Sequence, residues 1–450
     1  MLAGFEVNPW FILVFTLSLV FIIAYYVIGV RHAPSHAFTA VLIYSIFSKY
    51  ISVVFLDYHS VLITESLTVS KYTGAWIRAA LLCLMMLIGV YVSQVYLTFR
   101  ERRAEYGVPY LKPPSDRLIR ISIYFLLFVI FLHYVNLVVT GKLALPGSDA
   151  DHFNYWDSYG VMKFLPMFFG EIIIFYSFMC AALIYWGVRR SDKLLTRVGV
   201  TLTLLYIVYL VFIGQRFHGL LYPMCMLFGT FIIWTWEKRR RVFDLRLLMI
   251  LIGLGLLLIV YIQIDFQYRG VSQVAGGAAE GVLYRIFVLQ GHTYWNMDYM
   301  VRFEGAHGGL KVFLNGVDSV MRAIASERLY ENMTNRGVRF ANMLPVTGIY
   351  VIGYFWTGVL MFVMGLIYGM LCYGLHRAIR HGRILHLAPL SFIMYWFHGS
   401  FSSGGFELMV SPKFVVMVVI LCAMISFDRI LVRERRMGRR PLGTLPAPAE

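Results

Sequence analysis

Long apolar runs separated by short charged loops recur from Trp10 to Ile430. A run of about 20 apolar residues is the length at which an α-helix crosses the hydrocarbon core of a bilayer. Backbone groups in that core must be bonded internally, and for runs of this kind the helix does so within one segment. Composition agrees, since 59% of the 450 residues are hydrophobic and only 14% charged, too little polar surface for a water-soluble chain of this size. The sequence predicts an all-α polytopic integral membrane protein.

Read in order, the runs give about eleven spans, near 9–30, 37–56, 74–98, 121–140, 164–187, 198–213, 217–236, 247–264, 346–375, 387–399 and 413–430. The formal charge of +16 sits mostly in alternate loops, among them "RERRAEYGVPYLKPPSDRLIR", "RRSDKLLTR", "EKRRRVFDLR", "HRAIRHGR" and "RERRMGRR". Basic loops stay cytoplasmic, so the C-terminus is expected inside and the N-terminus outside. The positive charge is a topology signal and no nucleic-acid partner is expected. "MLAGFEVN" lacks a basic leader and is read as preceding an N-out anchor. Residues 1–440 form one membrane domain and 441–450, "PLGTLPAPAE", a disordered cytoplasmic tail. The five cysteines lie inside apolar runs and are read as buried free thiols.

On this topology four external loops are short, and one, about 265–345, is long enough to house chemistry. Within it "VLYRIFVLQGHTYWNMDYMVRF" reads as one helix with Arg285, His292 and Asn296 on a common stripe. "LKVFLNGVDSVMRAIASERLY" reads as a second, amphipathic helix with Arg322 and Arg328, and Arg336 and Arg339 precede re-entry at Pro345. The loop holds seven arginines and one lysine, but its acids nearly cancel them. Position therefore says more than count. Arg216, in the tight hairpin "FIGQRFHGLL" beside His218, and Arg269, directly after a span, stand at the outer membrane edge, where an unpaired charge is costly and functional by default.

Other signals are weaker. Asp149 and Asp151 in "SDADH" are a sparse metal pattern; Asp57 and Glu65 in the first external loop are a sparse general-base pattern. No metal and no cofactor are expected, and no phosphate-cradling glycine loop suggests ATP use. Trp156, Trp295 and Trp356 are candidates for stacking on sugar rings or for marking the membrane interface, and "GLIYG" at 365–369 fits close helix packing.

The hairpin "GQRFHGLLYPM", the "YRG" after the next span, the single large external loop and the re-entry through "NMLPVTGIYVIGYFWTGVLMFVMGLIYGML" together resemble the O-antigen polymerase family. The segment at 159–186 is similar to that family's span after its smaller periplasmic loop. The resemblance implies a polymerase of lipid-linked oligosaccharide repeat units, in the bacterial inner membrane with its active site outside. It would transfer a growing glycan from undecaprenyl pyrophosphate to the non-reducing end of a fresh lipid-linked unit. It carries over Arg216, Arg269 and, more loosely, Arg285.

The resemblance further implies that Arg216 and Arg269 bind the donor diphosphate and stabilise the leaving charge. His292, Glu280, Asp298 or Glu304 would deprotonate the acceptor hydroxyl, with Arg285, His218, Arg336, Arg339 and Trp295 as substrate-binding candidates. A chain-length-regulating co-polymerase is a possible partner. Three alternatives stay open: an O-antigen ligase, a lipid-linked-oligosaccharide flippase or other transporter, and a polyprenyl-phosphate-sugar glycosyltransferase. A transporter is expected to carry charges near mid-membrane.

Overall fold

The computed structural model describes residues 8–104, 116–143, 164–214, 217–239, 278–335 and 340–437, with isolated positions 253, 260 and 264. The helices run α1 (Pro9–His32), a 3₁₀ segment (Pro34–Thr39), α2 (Ala40–Tyr58), α3 (Ala75–Ala104), α4 (Asp116–Thr140), α5 (Phe164–Arg189), α6 (Lys193–Phe212) and α7 (Phe217–Arg239). After residues 240–277 follow α8 (Ala278–Phe287), α9 (His292–Phe303), α10 (Val312–Asn315), α11 (Val317–Ile324), α12 (Glu327–Asn335), α13 (Leu344–Arg380), α14 (Ile384–Ser403) and α15 (Pro412–Met437). The one sheet among the described residues is a small hairpin, β1 (Leu62–Ile63) against β2 (Thr68–Val69), with Leu62 opposite Val69.

Six helical stretches among the described residues are long and apolar enough to cross a bilayer: Pro9–His32, Pro34–Tyr58, Ala75–Arg103, Asp116–Thr140, Lys193–Phe212 and Leu344–Arg380. The chain is an all-α membrane protein. Local chemistry sets the helix starts. Asn8 caps α1 by accepting the Trp10 amide at 2.9 Å, with Pro9 in the first turn, and Asp192 caps α6 through the Leu195 amide. α1 is apolar all round and mostly exposed, as a helix at a lipid boundary is, whereas α2 is buried along most of its length.

The bundle has two unlike ends. At one, α3, α5, α7 and α13 finish in charge: Arg189 donates to the Arg380 carbonyl at 3.0 Å, Arg380 lies 3.8 Å from Glu237, and Arg377 and His381 flank Glu101 at 3.8 and 3.6 Å. The β-hairpin and the helices α8 to α12 gather at the other, called here the hairpin end.

Two expected single helices of the long loop are broken. The first splits into α8 and α9, so Arg285 is exposed while His292 is buried, and the stripe expected to unite them does not form. The break seats Gly291 against the α2 backbone between Lys49 and Val53, where any Cβ would collide. Ser52 satisfies the freed groups, accepting the Gly291 amide at 2.7 Å and donating to the Phe287 and Val288 carbonyls at 3.0 Å. The second splits at Gly316, whose φ of +52° no ordinary side chain adopts easily and which packs on the Gly405 backbone. The re-entering helix also differs from a plain span. Gly353 (φ 74°, ψ 175°) divides α13 into a short buried helix, Leu344 to Ile352, and the long stretch after it.

Candidate functional site

At the hairpin end two carboxylates organise the junction of α2, α3 and α9. Asp57, 2% exposed, accepts the Thr73 amide and hydroxyl at 3.0 and 2.9 Å, the Trp76 amide at 2.9 Å and the Trp295 indole at 3.1 Å. It thereby ties the last turn of α2 to the start of α3 and to α9. Asp298, fully buried, is gripped by both arms of the Arg78 fork, Nε at 2.7 Å and Nη2 at 2.5 Å, and accepts the Tyr354 hydroxyl at 2.8 Å. A bidentate guanidinium–carboxylate pair of this kind is among the strong, geometrically specific hydrogen bonds. It joins α3, α9 and the residue just past the Gly353 break.

Glu65, on the hairpin between β1 and β2, accepts the Tyr284 hydroxyl at 2.8 Å and the Thr64 hydroxyl at 3.1 Å, linking the hairpin to α8. Burial and the Glu65 charge push the Tyr284 phenol up to about 12, so it stays a donor at neutral pH. Thr68 of β2 donates to Asn296 at 3.0 Å, which closes the hairpin over α9.

His292 opens α9 and is 1% exposed. Its Nδ1 lies 2.9 Å from the Leu289 carbonyl, its ring meets Phe340 edge-on at 4.9 Å, and its Nε2 has no partner among the described residues. Burial lowers its pKa, partly offset by Glu65, so the imidazole is neutral at pH 7. The segment it touches is clamped from three sides: Thr293 donates to the Ala341 carbonyl at 2.7 Å, Lys49 to the Asn342 carbonyl, and the Asn342 amide to the Ser403 carbonyl at 2.9 Å.

The other expected site residues fall as follows. Asp298 is consumed by its three donors, and Glu304 is exposed beyond the last turn of α9. Trp295 is 2% exposed with its ring stacked on Tyr299 at 5.9 Å, so it presents no face to a sugar and serves the Asp57 network instead. Glu280 lies in the first turn of α8 and His218 in that of α7. The side chains of those two, and Arg216, Arg269, Arg336, Arg339, Asp149 and Asp151 altogether, lie outside the described residues. Among the described residues no group of three or more His, Cys, Asp or Glu could hold a metal ion.

Lys49 belongs to none of the motifs singled out in the sequence. It sits in the middle of α2, about 13 Å along the axis from Tyr58, and is 7% exposed. Its ammonium bonds two backbone carbonyls, those of Asn342 and of Ser402 at 3.3 Å, with no carboxylate partner among the described residues. A lone lysine inside the apolar run "YSIFSKYISVVFL" was the available signal, since such a charge is a functional candidate by default. Arg78 and Asp57, charges just inside the ends of two spans, carried a weaker signal of the same kind.

The Ser52 bridge gives a direct check on this architecture. Ser52→Ala leaves the buried Gly291 amide only its long bond of 3.3 Å to the Val288 carbonyl and is expected to destabilise the protein by about 1 kcal/mol. Thermal unfolding in detergent should show it, and an unchanged midpoint would mean that the α8–α9 turn does not rest on α2.

Neither curated proteins nor solved structures give a match. Over residues 314–418, from the end of α10 through α14 into α15, the chain is similar to a family of unknown function, DUF6418.

Proposed function

We propose that this protein is a membrane glycosyltransferase of about eleven spans that polymerises lipid-linked oligosaccharide repeat units, with the hairpin end facing outward from a bacterial inner membrane. The observation that carries this reading is the seat of the long loop. α8, α9 and the segment 340–343 are not perched on the bundle but packed between α2, α3 and α14, down to the level of Lys49. A polyprenyl diphosphate holds its reactive group at headgroup depth. A loop sunk into the end of the bundle can meet it there, whereas a loop standing in water cannot.

In this reading Arg216 and Arg269 grip the diphosphate through paired hydrogen bonds and stabilise the charge as it departs. His292, neutral and with one ring nitrogen uncommitted among the described residues, takes the acceptor proton once substrate parts the ring from Phe340, since in this structure its imidazole is as buried as Trp295. Phe340, which packs on it, directly follows Arg339 in the chain. Glu280, one helix away on α8, is the alternative base.

Arg216 provides the test. Lysine keeps its charge but not the planar fork. Arg216→Lys, like Arg216→Ala, should therefore leave normal amounts of protein in the membrane and single repeat units but no long glycan. Normal polymer from Arg216→Lys would remove the diphosphate clamp; loss of the protein would make Arg216 structural and move the role to Arg269.

One observation favours a second reading. Lys49 is the kind of buried intramembrane charge expected of a lipid-linked-oligosaccharide transporter. A transporter disabled at Lys49 by Lys49→Gln would leave repeat units on the inner face. A disabled polymerase leaves them singly on the outer face, and labelling of the units from outside separates the two.

A further inference from the structure

At the rim of the hairpin end three cations converge that neither the sequence motifs nor the catalytic reading uses. Arg78, in the first turn of α3, and Arg302, in the last turn of α9, both donate to a single acceptor, the Thr73 carbonyl, each at 3.1 Å. Two guanidinium groups are thus held side by side. Two residues before Thr73, Lys71 donates to the Tyr299 hydroxyl at 3.2 Å with its ammonium 4.7 Å from that ring's centre. Tyr299 and Arg302 share α9, so the segment after the hairpin, α3 and α9 each bring a cation to one spot.

Two acids accompany them, and both face inward. Asp298 is fully buried and occupied by Arg78 and Tyr354; Asp57 is buried and occupied by Thr73, Trp76 and Trp295. Neither Arg302 nor Lys71 has a carboxylate partner among the described residues, and both are exposed, while the Arg78 side chain is 22% exposed. The surface left to solvent carries Lys71, Arg302 and the edge of Arg78, with Glu304 exposed two residues beyond Arg302, and cations gathered around one carbonyl repel unless an anion joins them. Guanidinium pairs favour an oxyanion with several equivalent acceptors, and Lys71 adds a third donor group. Because Arg78 sits in the first turn of a membrane-length helix, the spot is at headgroup height. Tyr299 and Phe303 line it with rings whose centres lie 5.0 Å apart.

We propose that Lys71, Arg78 and Arg302 form a phosphate-binding site at the rim of the bundle, for the phosphate or diphosphate of a lipid headgroup or for the free anion. It deepens the diphosphate reading above and rests on it only for the identity of the carrier. Arg78 is also structural, so the test uses the other two. In the full-length protein, R302Q together with K71Q should lower affinity for inorganic pyrophosphate in detergent by about tenfold or more, while K311Q together with R328Q, an equal charge change at exposed positions of the long loop, should change it by less than about twofold.

The same variants in nanodiscs of phosphatidylglycerol or phosphatidylcholine, read by native mass spectrometry, separate the two sources. Retained phosphatidylglycerol with weak pyrophosphate binding marks a headgroup site, and pyrophosphate binding in both lipids marks a site open to the free anion; either supports the proposal if R302Q/K71Q abolishes it. No binding of either ligand by the unaltered protein, or equal loss in K311Q/R328Q, overturns it. A site confirmed in a protein that makes no glycan from lipid-linked units would overturn the enzymatic reading alone.

Discussion

Arg78→Ala is expected to remove most of the folded protein from the membrane fraction. The substitution strips two charge-assisted bonds from a carboxylate with no exposure, leaving Asp298 with the Tyr354 hydroxyl alone. Breaking one side of a buried pair costs about 3–5 kcal/mol, because the remaining charge is neither solvated nor paired. Set against total stabilities of about 5–15 kcal/mol, that is enough to decide whether the protein persists. Arg78→Lys should fall between, since it restores charge but cannot engage both oxygens. The informative measurement is a double-mutant cycle on thermal unfolding in detergent. Asp298→Leu in the Arg78→Met background should recover much of the loss, because it removes the stranded charge. Strictly additive effects would mean that the pair contributes little and that the junction is held by the Asp57 network.

Gly365→Val is expected to separate the two longest helices among the described residues. α3 and α13 run against each other with glycines at the contact, and a Cβ on Gly365 would overlap the Met86 carbonyl oxygen, a backbone atom that no rotamer change can move. Gly369, one turn on, meets Val90 and Ser93 in the same way. In a bilayer the apolar effect between spans is weak, so close backbone approach through small residues carries much of the association. Forcing it apart should cost about 3 kcal/mol, the upper end for overpacking, and shift the melting midpoint well down. Gly358→Ala is the internal comparison, because its Cβ would find nothing nearer than 3.8 Å. Equal effects from the two substitutions would mean that helix propensity, not contact, sets the penalty.

The sequence alone determined the solvent and the main elements. Apolar runs of bilayer length have one way to satisfy their backbones, so helices at 9–32, 40–58, 75–104, 116–140 and 193–212 follow almost directly from hydropathy, and the "GLIYG" contact follows from side-chain size. The alternation of basic loops likewise anticipated the charged end where Arg189, Arg377 and Arg380 meet Glu101 and Glu237.

The site was legible only in part, because burial is a property of neighbours that are distant along the chain. Periodicity placed Arg285 and His292 on one face, but the helix breaks where Gly291 can touch α2, a contact between residues far apart in sequence. Trp295 reads as a sugar platform until Asp57 claims its indole, and Asp298 as a base until Arg78 and Tyr354 occupy its oxygens. Lys49 was visible as a charge in an apolar run. Only the tertiary structure supplied the Asn342 and Ser402 carbonyls that let it stay there, because a buried ammonium is tolerable only where the fold brings acceptors to it.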